Sequence, residues 1–211
     1  MILPIFAASL RTSNTMPTSP RIPQSITDSI AVKQAILNNP ELHARIRQAA
    51  DIIIASLRSG GKVHFCGNGG SAADAQHLAA ELSGRYGFDR PPLNAEALHC
   101  NTSYLTAVAN DYGYEKVFAR LISGLGRKGD ILVGISTSGN SKNILQAFDV
   151  CKEQGLYTIA MTGASGGKMR DAADLLVNVP SNDTPRIQEA HITVGHIICE
   201  LVEQEIFGEK Q

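Results

Sequence analysis

The sequence predicts an α/β fold: a five-stranded parallel sheet layered between helices, with two further helices ahead of the first strand. Three observations carry this. Short apolar runs alternate with helical periods along the chain. The run "DILVGIS" (130–136) is apolar almost throughout, the pattern of a parallel strand covered on both faces. Two strand–loop–helix units, "HFCGNGGSAADAQHLAA" and "VGISTSGNSKNILQAF", each leave an apolar strand through Gly, Ser and Asn and enter a helix. A doubly wound sheet binds its ligand at such places, outside the carboxyl ends of its strands.

In chain order, residues 1–24 are rich in Ser, Thr and Pro and read as a flexible tail, with Met16 an alternative start; residues 25–211 read as one domain. From about Ser25, "SITDSIAVKQAILNN" and "PELHARIRQAADIIIASLRSG" place apolar residues three and four apart and predict two helices. They form a helical layer or an oligomer contact. "KVHFCG" (62–67) is the first strand, and a helix follows its glycine loop to about Leu82. "LNAEALH" (93–99) is the second strand, with helical stretches after it at "SYLTAVAND" and "EKVFARLISGLGRKG". The third strand, 130–136, runs through "TSGNS" into the helix "KNILQAFDVCKEQG". "YTIAMTG" and "DLLVNVP" are the last two strands, around a small helix at "GKMRDAA", and a long helix covers about Pro185 to Phe207.

Composition narrows the function. A formal charge of −1 and a pI near 6.6 leave no electrostatic footprint for nucleic acid or an anionic membrane. Aromatic residues make up 5% of the chain and Trp is absent, which argues against base stacking. Cys66, Cys100, Cys151 and Cys199 lie far apart with no C-x-x-C pair, as expected of reduced thiols in a cytoplasmic protein. No apolar run approaches the ~20 residues that span a bilayer. The opening "MILPIFAASLRTSN" lacks the basic leader of a signal peptide.

In "STSGNS", Ser136, Thr137, Ser138 and Ser141 bring four hydroxyls within six residues, just ahead of a helix start. Unpaired N–H groups and the positive end of the helix dipole favour an anion there, so the segment reads as a phosphate loop. The competing use of these residue types is simple capping and turning. Neither the Walker pattern nor G-x-G-x-x-G is present, so no nucleotide cofactor is expected. The glycines of "GNGGS" let backbone approach a ligand closely.

His77 and Glu81, four residues apart, share one helix face and suit two ligands of one metal ion; zinc accepts both types. Alone, such a pair is commonly a surface contact. Its position within ten residues of a ligand loop favours the metal reading. A second source of ligands is "RIQEAHITVGHIICELVEQEIF", where Gln188, His191 and His196 punctuate a helix with an apolar stripe of Ile187, Val194, Ile198 and Leu201. Gln188 and His196 stand ~12 Å apart along a straight helix, so they converge on one ion only by leaning together or from different subunits. His191, one turn after Gln188, reads as a core histidine.

The segments "CGNGGSAADAQHLAAELSGRY", "GISTSGNSKNILQAF", "TGASGGKMRDAAD" and "RIQEAHITVGHIICELVE" together resemble the sugar isomerase (SIS) domain proteins. Within them the chain is most similar to the sedoheptulose 7-phosphate isomerases, or phosphoheptose isomerases, over nearly all of Ser25 to Phe207. The resemblance implies a three-layer, flavodoxin-like α/β/α SIS fold and a homotetramer with active sites at subunit interfaces. It implies one zinc ion per subunit, held by His77, Glu81, Gln188 and His196, and a phosphorylated seven-carbon sugar as substrate. Substrate contacts carry over to Asn68, Gly69, Gly70 and Ser71, to Ser136, Thr137, Ser138 and Ser141, and to Glu81 and Gln188. Arg85 matches an arginine that reaches toward a neighbouring subunit's site. The family often has an acid where Asn101 stands, in a substrate-contact segment with Cys100 beside it, and some members carry Asp at Pro185.

The reaction so implied converts sedoheptulose 7-phosphate to D-glycero-D-manno-heptose 7-phosphate, the first step toward nucleotide-activated heptose for lipopolysaccharide and other surface glycans. An aldose–ketose isomerisation needs a base for a carbon-bound proton and an acid for the carbonyl oxygen. Glu81 and His196 match these roles, and whether Glu81 is base, zinc ligand or both stays open. Two other readings stand beside this one. A SIS protein that binds a replication initiator shares the glycine loop and the "RIQE" helix but lacks the counterparts of Glu81 and His196. Another SIS enzyme would act on a different phosphosugar, since the loops do not state the length of the sugar.

Overall fold

A computed structural model describes residues 19–208. Most of the expected tail, including Met16, lies outside the described residues. The first helix, α1 (Arg21–Leu37), begins four residues ahead of Ser25. Pro23 falls in its first turn, where a proline's missing N–H breaks no helical bond. Helix α2 (Pro40–Arg58) starts at Pro40, capped by Asn39, whose Oδ1 accepts from Leu42 N at 3.0 Å. Its buried Leu42, Ile46, Ala49, Ala50, Ile53 and Ile54 recur at helical spacing and turn one stripe to the sheet.

The five strands are β1 (Val63–Gly67), β2 (Ala95–Ala97), β3 (Ile131–Ser136), β4 (Tyr157–Thr162) and β5 (Leu175–Asn178). They form one all-parallel sheet in the order β2-β1-β3-β4-β5. Between them run α3 (Gly70–Ser83), α4 (Thr102–Tyr112), α5 (Val117–Leu125), α6 (Lys142–Gln154) and the single turn α7 (Met169–Ala172); α8 (Thr184–Phe207) closes the chain. The expected three-layer α/β/α arrangement is what the chain adopts.

Alternation along the strands splits the core in two. Phe65, Val133, Ile159 and Val177 pack with α1, α2, α3 and α8 on one face. Cys66, Leu132 and Ala160 pack with α4, α5 and α6 on the other. Every residue of β3 is buried, as its continuous apolar run requires. The four cysteines are free thiols; three are buried and Cys100 is exposed.

Several elements are shorter than the sequence predicts, among them β5, which reduces from 174–180 to Leu175–Asn178. The expected strand 93–99 reduces to Ala95–Ala97, because β2 is an edge strand with a partner on one side only. The expected helix over "EKVFARLISGLGRKG" divides into a 3₁₀ turn (Tyr114–Lys116) and α5, which stops at Leu125. Beyond it, Asp130 accepts from Arg127 N and Lys62 N, both at 2.9 Å, and ties the intervening turn to the start of β1.

Candidate active site

Strands β1 and β3 are neighbours, with Gly67 paired to Ile135, so the glycine loop and the serine loop leave the sheet side by side. Asn68 and Asn143 join them through a reciprocal amide pair: each Nδ2 donates to the other's Oδ1, at 3.0 and 2.9 Å. The Tyr114 hydroxyl donates to Asn68 Oδ1 at 3.1 Å. Sequence reasoning missed both Asn143 and Tyr114. Asn143 carried a signal, being polar and immediately beyond the serine loop, whereas Tyr114 is delivered by a 3₁₀ turn that no periodicity announces.

Within the serine loop, Ser136 Oγ and Ser141 Oγ are 2.9 Å apart. Ser141 is the N-cap residue of α6, yet its hydroxyl caps none of the helix's N–H groups. That distinguishes the loop from a mere helix start. Gly139, at φ 64°, presses against the Gly166 carbonyl, a place with no room for a Cβ. Asn140 Oδ1 accepts from Lys168 N at 3.1 Å, and Thr137 O accepts from Gly163 N at 3.0 Å. The segment 163–169 therefore braces the loop from behind. In the glycine loop, Gly69 adopts φ 57° and Ser71, buried, donates its N–H to Asn68 O at 3.1 Å.

Helices α3 and α8 pack against each other on one side of the sheet. They meet closely at Gly195, where a Cβ would lie 2.6 Å from both methyl carbons of Leu78. The next residue, His196, thereby faces His77, with the two Nε2 atoms 2.9 Å apart. Glu81 Oε1 lies 3.2 Å from His77 Nε2. One ligand atom from each of His77, Glu81 and His196 falls within 4.8 Å of the other two. Two imidazole nitrogens and a carboxylate oxygen converging in this way fit a divalent ion such as zinc. The group is half open to solvent, with His77 exposed and Glu81 and His196 partly buried. Asp74, one turn before His77, has a carboxyl that burial pushes up to about 6 against the opposing pull of His77.

Gln188 sits elsewhere. Its amide lies hard against Gly70 at the start of α3, beside the glycine loop and about two turns of α8 from His196. Within one chain the structure thus joins Gln188 to the loop, and His77, Glu81 and His196 to one another. Arg85 is exposed beyond the end of α3, and Cys100 is exposed after β2. Asn101 caps α4, its Oδ1 accepting from Tyr104 N at 3.0 Å. Pro185 occupies the first turn of α8, the place in a helix that suits proline. His191 is fully buried, and burial lowers its pKa to about 4, as befits a neutral core histidine.

Known proteins resemble this chain in both sequence and structure. Residues 29–163 match the SIS domain family. The phosphoheptose isomerase of Sulfurimonas denitrificans is 53% identical over 188 residues, covering 89% of this chain and 96% of the relative. That of Mycobacterium tuberculosis is 56% identical over 184 residues, covering 87% and 94%. The solved phosphoheptose isomerase from Francisella tularensis superimposes with a TM-score of 0.83 at 38% identity, over 87% of this chain and 97% of that one.

Proposed function

The chain belongs to the SIS domain family and, within it, to the phosphoheptose isomerases, sugar-phosphate isomerases acting on a heptose phosphate; on that premise we propose that it interconverts sedoheptulose 7-phosphate and D-glycero-D-manno-heptose 7-phosphate at His77, Glu81 and His196. The observation that carries this is the convergence of those three side chains in a chain whose serine and glycine loops lie side by side.

The serine loop takes the phosphate: Ser136, Thr137, Ser138 and Ser141 offer hydroxyl donors, and the N-terminus of α6 adds its dipole. Asn68, Gly69, Gly70 and Ser71 support the sugar, with Gln188 against the same loop. Glu81 removes the carbon-bound proton and returns it to the neighbouring carbon, while His196 gives and recovers the proton on oxygen. His77, Glu81 and His196 would hold a zinc ion, with Gln188 completing the set from a neighbouring subunit, and the ion would supply Lewis-acid polarisation of the sugar oxygens. Glu81 has two carboxylate oxygens, so it would be able to serve both as a ligand and as the base.

The reading includes a cytoplasmic homotetramer with active sites between subunits, in which Arg85 reaches a neighbour's site and Cys100 and Asn101 line the sugar. An apolar stripe on α1 supports it: Ile22, Ile26 and Ile30 recur every fourth residue and are each more than half exposed, as is Leu37. Among the described residues, no helix is long and apolar enough to cross a membrane. The product feeds nucleotide-activated heptose for surface glycans.

The test is a coupled-enzyme screen of seven-carbon against six-carbon ketose phosphates, with metal analysis of the purified protein. Turnover of sedoheptulose 7-phosphate, lost on chelation and restored by zinc, is the expected result. Turnover of a six-carbon ketose phosphate without the heptulose phosphate would contradict the proposal.

A further inference from the structure

We infer that Arg90 and Glu203 are positioning residues for the His77–Glu81–His196 group, tying together the ends of the two helices that carry it. The inference rests on the metal reading above. Arg90 follows α3 by seven residues, and Glu203 lies in α8 seven residues beyond His196. Seven residues are close to two full turns, so Glu203 and His196 project from nearly the same side of α8.

The pair is buried, with side chains 2% and 1% exposed, and Arg90 Nε donates to Glu203 Oε1 at 2.9 Å. The rest of the guanidinium caps α3. Nη2 donates to the carbonyl oxygen of Glu81 at 2.8 Å, and Nη1 to those of Leu82 and Gly84 at 2.7 and 2.8 Å. The last carbonyls of a helix lack partners within it and carry the negative end of its dipole. A planar cation with several donors answers both needs at once, and one of the carbonyls it holds belongs to Glu81 itself. Lysine has no such fork.

Glu203 completes the tie. Its two oxygens accept from Tyr86 N at 2.9 Å and Gly87 N at 2.6 Å, which fixes the chain as it leaves α3. The Tyr86 ring in turn packs 5.8 Å from that of His196. The Gly70–Gln188 contact and this pair therefore hold α3 and α8 together on both sides of the His77–His196 approach. Coulomb attraction alone is a weak reason for such a pair. Replacing a buried ion pair with apolar residues of similar size is often neutral or stabilising, because desolvating two charges costs about as much as their attraction returns. Holding Glu81 and His196 in register is a role that apolar residues would not perform.

The experiment compares wild type, Arg90→Lys, Glu203→Gln and His77→Ala by zinc affinity from chelator competition, kcat and KM measured separately, and thermal melting. Arg90→Lys and Glu203→Gln are expected to weaken zinc binding by about tenfold or more, the usual effect of removing a group that orients a metal ligand. They should lower kcat while KM stays within about threefold, since neither touches substrate. Variants that melt lower yet keep wild-type zinc affinity and kcat would overturn the inference. A measurement on the wild type decides the matter even if the variants fail to fold. Coupling is reciprocal, so adding zinc should slow hydrogen exchange at the Tyr86 and Gly87 amides, and unchanged exchange would contradict the tie. If wild type and His77→Ala bind zinc equally, the metal reading itself fails. If only His77→Ala loses zinc, that reading stands and the other variants judge Arg90 and Glu203 alone.

Discussion

His77 Nε2 and His196 Nε2 lie 2.9 Å apart across 119 residues of chain, and Glu81 Oε1 is 3.2 Å from the first of them. Lone pairs on two neutral imidazoles cannot face each other at that distance without a proton or a cation between them. On the proposed metal reading, each ring is a ligand of the ion. His77→Ala and His196→Ala are each expected to lose zinc affinity by about a hundredfold or more, with far-ultraviolet circular dichroism unchanged. Zinc retained at wild-type affinity by either variant would rule out the proposed centre.

The serine loop makes a separate prediction. Ser138→Ala and Ser141→Ala each remove a hydroxyl offered to a charged ligand, and a hydrogen bond to a charged group contributes about 1.5–3 kcal/mol. KM for the phosphorylated sugar should rise about tenfold or more in each. The affinity for the same sugar without its phosphate should not change. Equal loss for both sugars would place the phosphate elsewhere.

A third prediction concerns stability. The unfolded chain accepts a proton on His191 near pH 6.5, whereas burial in the folded protein lowers that pKa to about 4. Folding is therefore disfavoured progressively as pH falls from 6.5 toward 4, and the His191 contribution is fully present above 6.5. The difference of 2.5 pH units corresponds to about 3 kcal/mol. Chemical denaturation of metal-free protein at pH 7.5 and pH 4.5 should show most of this loss in wild type and not in His191→Leu. Equal acid sensitivity in the two proteins would contradict the assignment.

The parts of this arrangement that sequence reveals are those set by local periodicity. The buried strand 130–136, the i, i+4 relation of His77 and Glu81, and the run of hydroxyls from Ser136 to Ser141 are all local patterns. The partnership of His77 with His196 is not local. It depends on α3 and α8 meeting at Gly195, and only the family resemblance pointed to it in advance. Arg90 was hidden for the same reason: "GFDRPPL" reads as a polar loop, and nothing nearby announces that Glu203 will meet it. Element ends also moved: α1 begins ahead of Ser25 because Pro23 fits a first helical turn, and β2 is short because it has a strand partner on one side only.

The central claim is that Glu81 takes the proton within this metal group, and Glu81→Gln tests it most directly. The amide keeps the size and an oxygen donor of the carboxylate but is no base at neutral pH. Loaded with zinc and assayed on sedoheptulose 7-phosphate, the variant is expected to lose at least about a hundredfold in kcat, within the range for removing a general base. Solvent deuterium should likewise no longer enter the sugar. Isomerisation at near wild-type rate by zinc-loaded Glu81→Gln would contradict it.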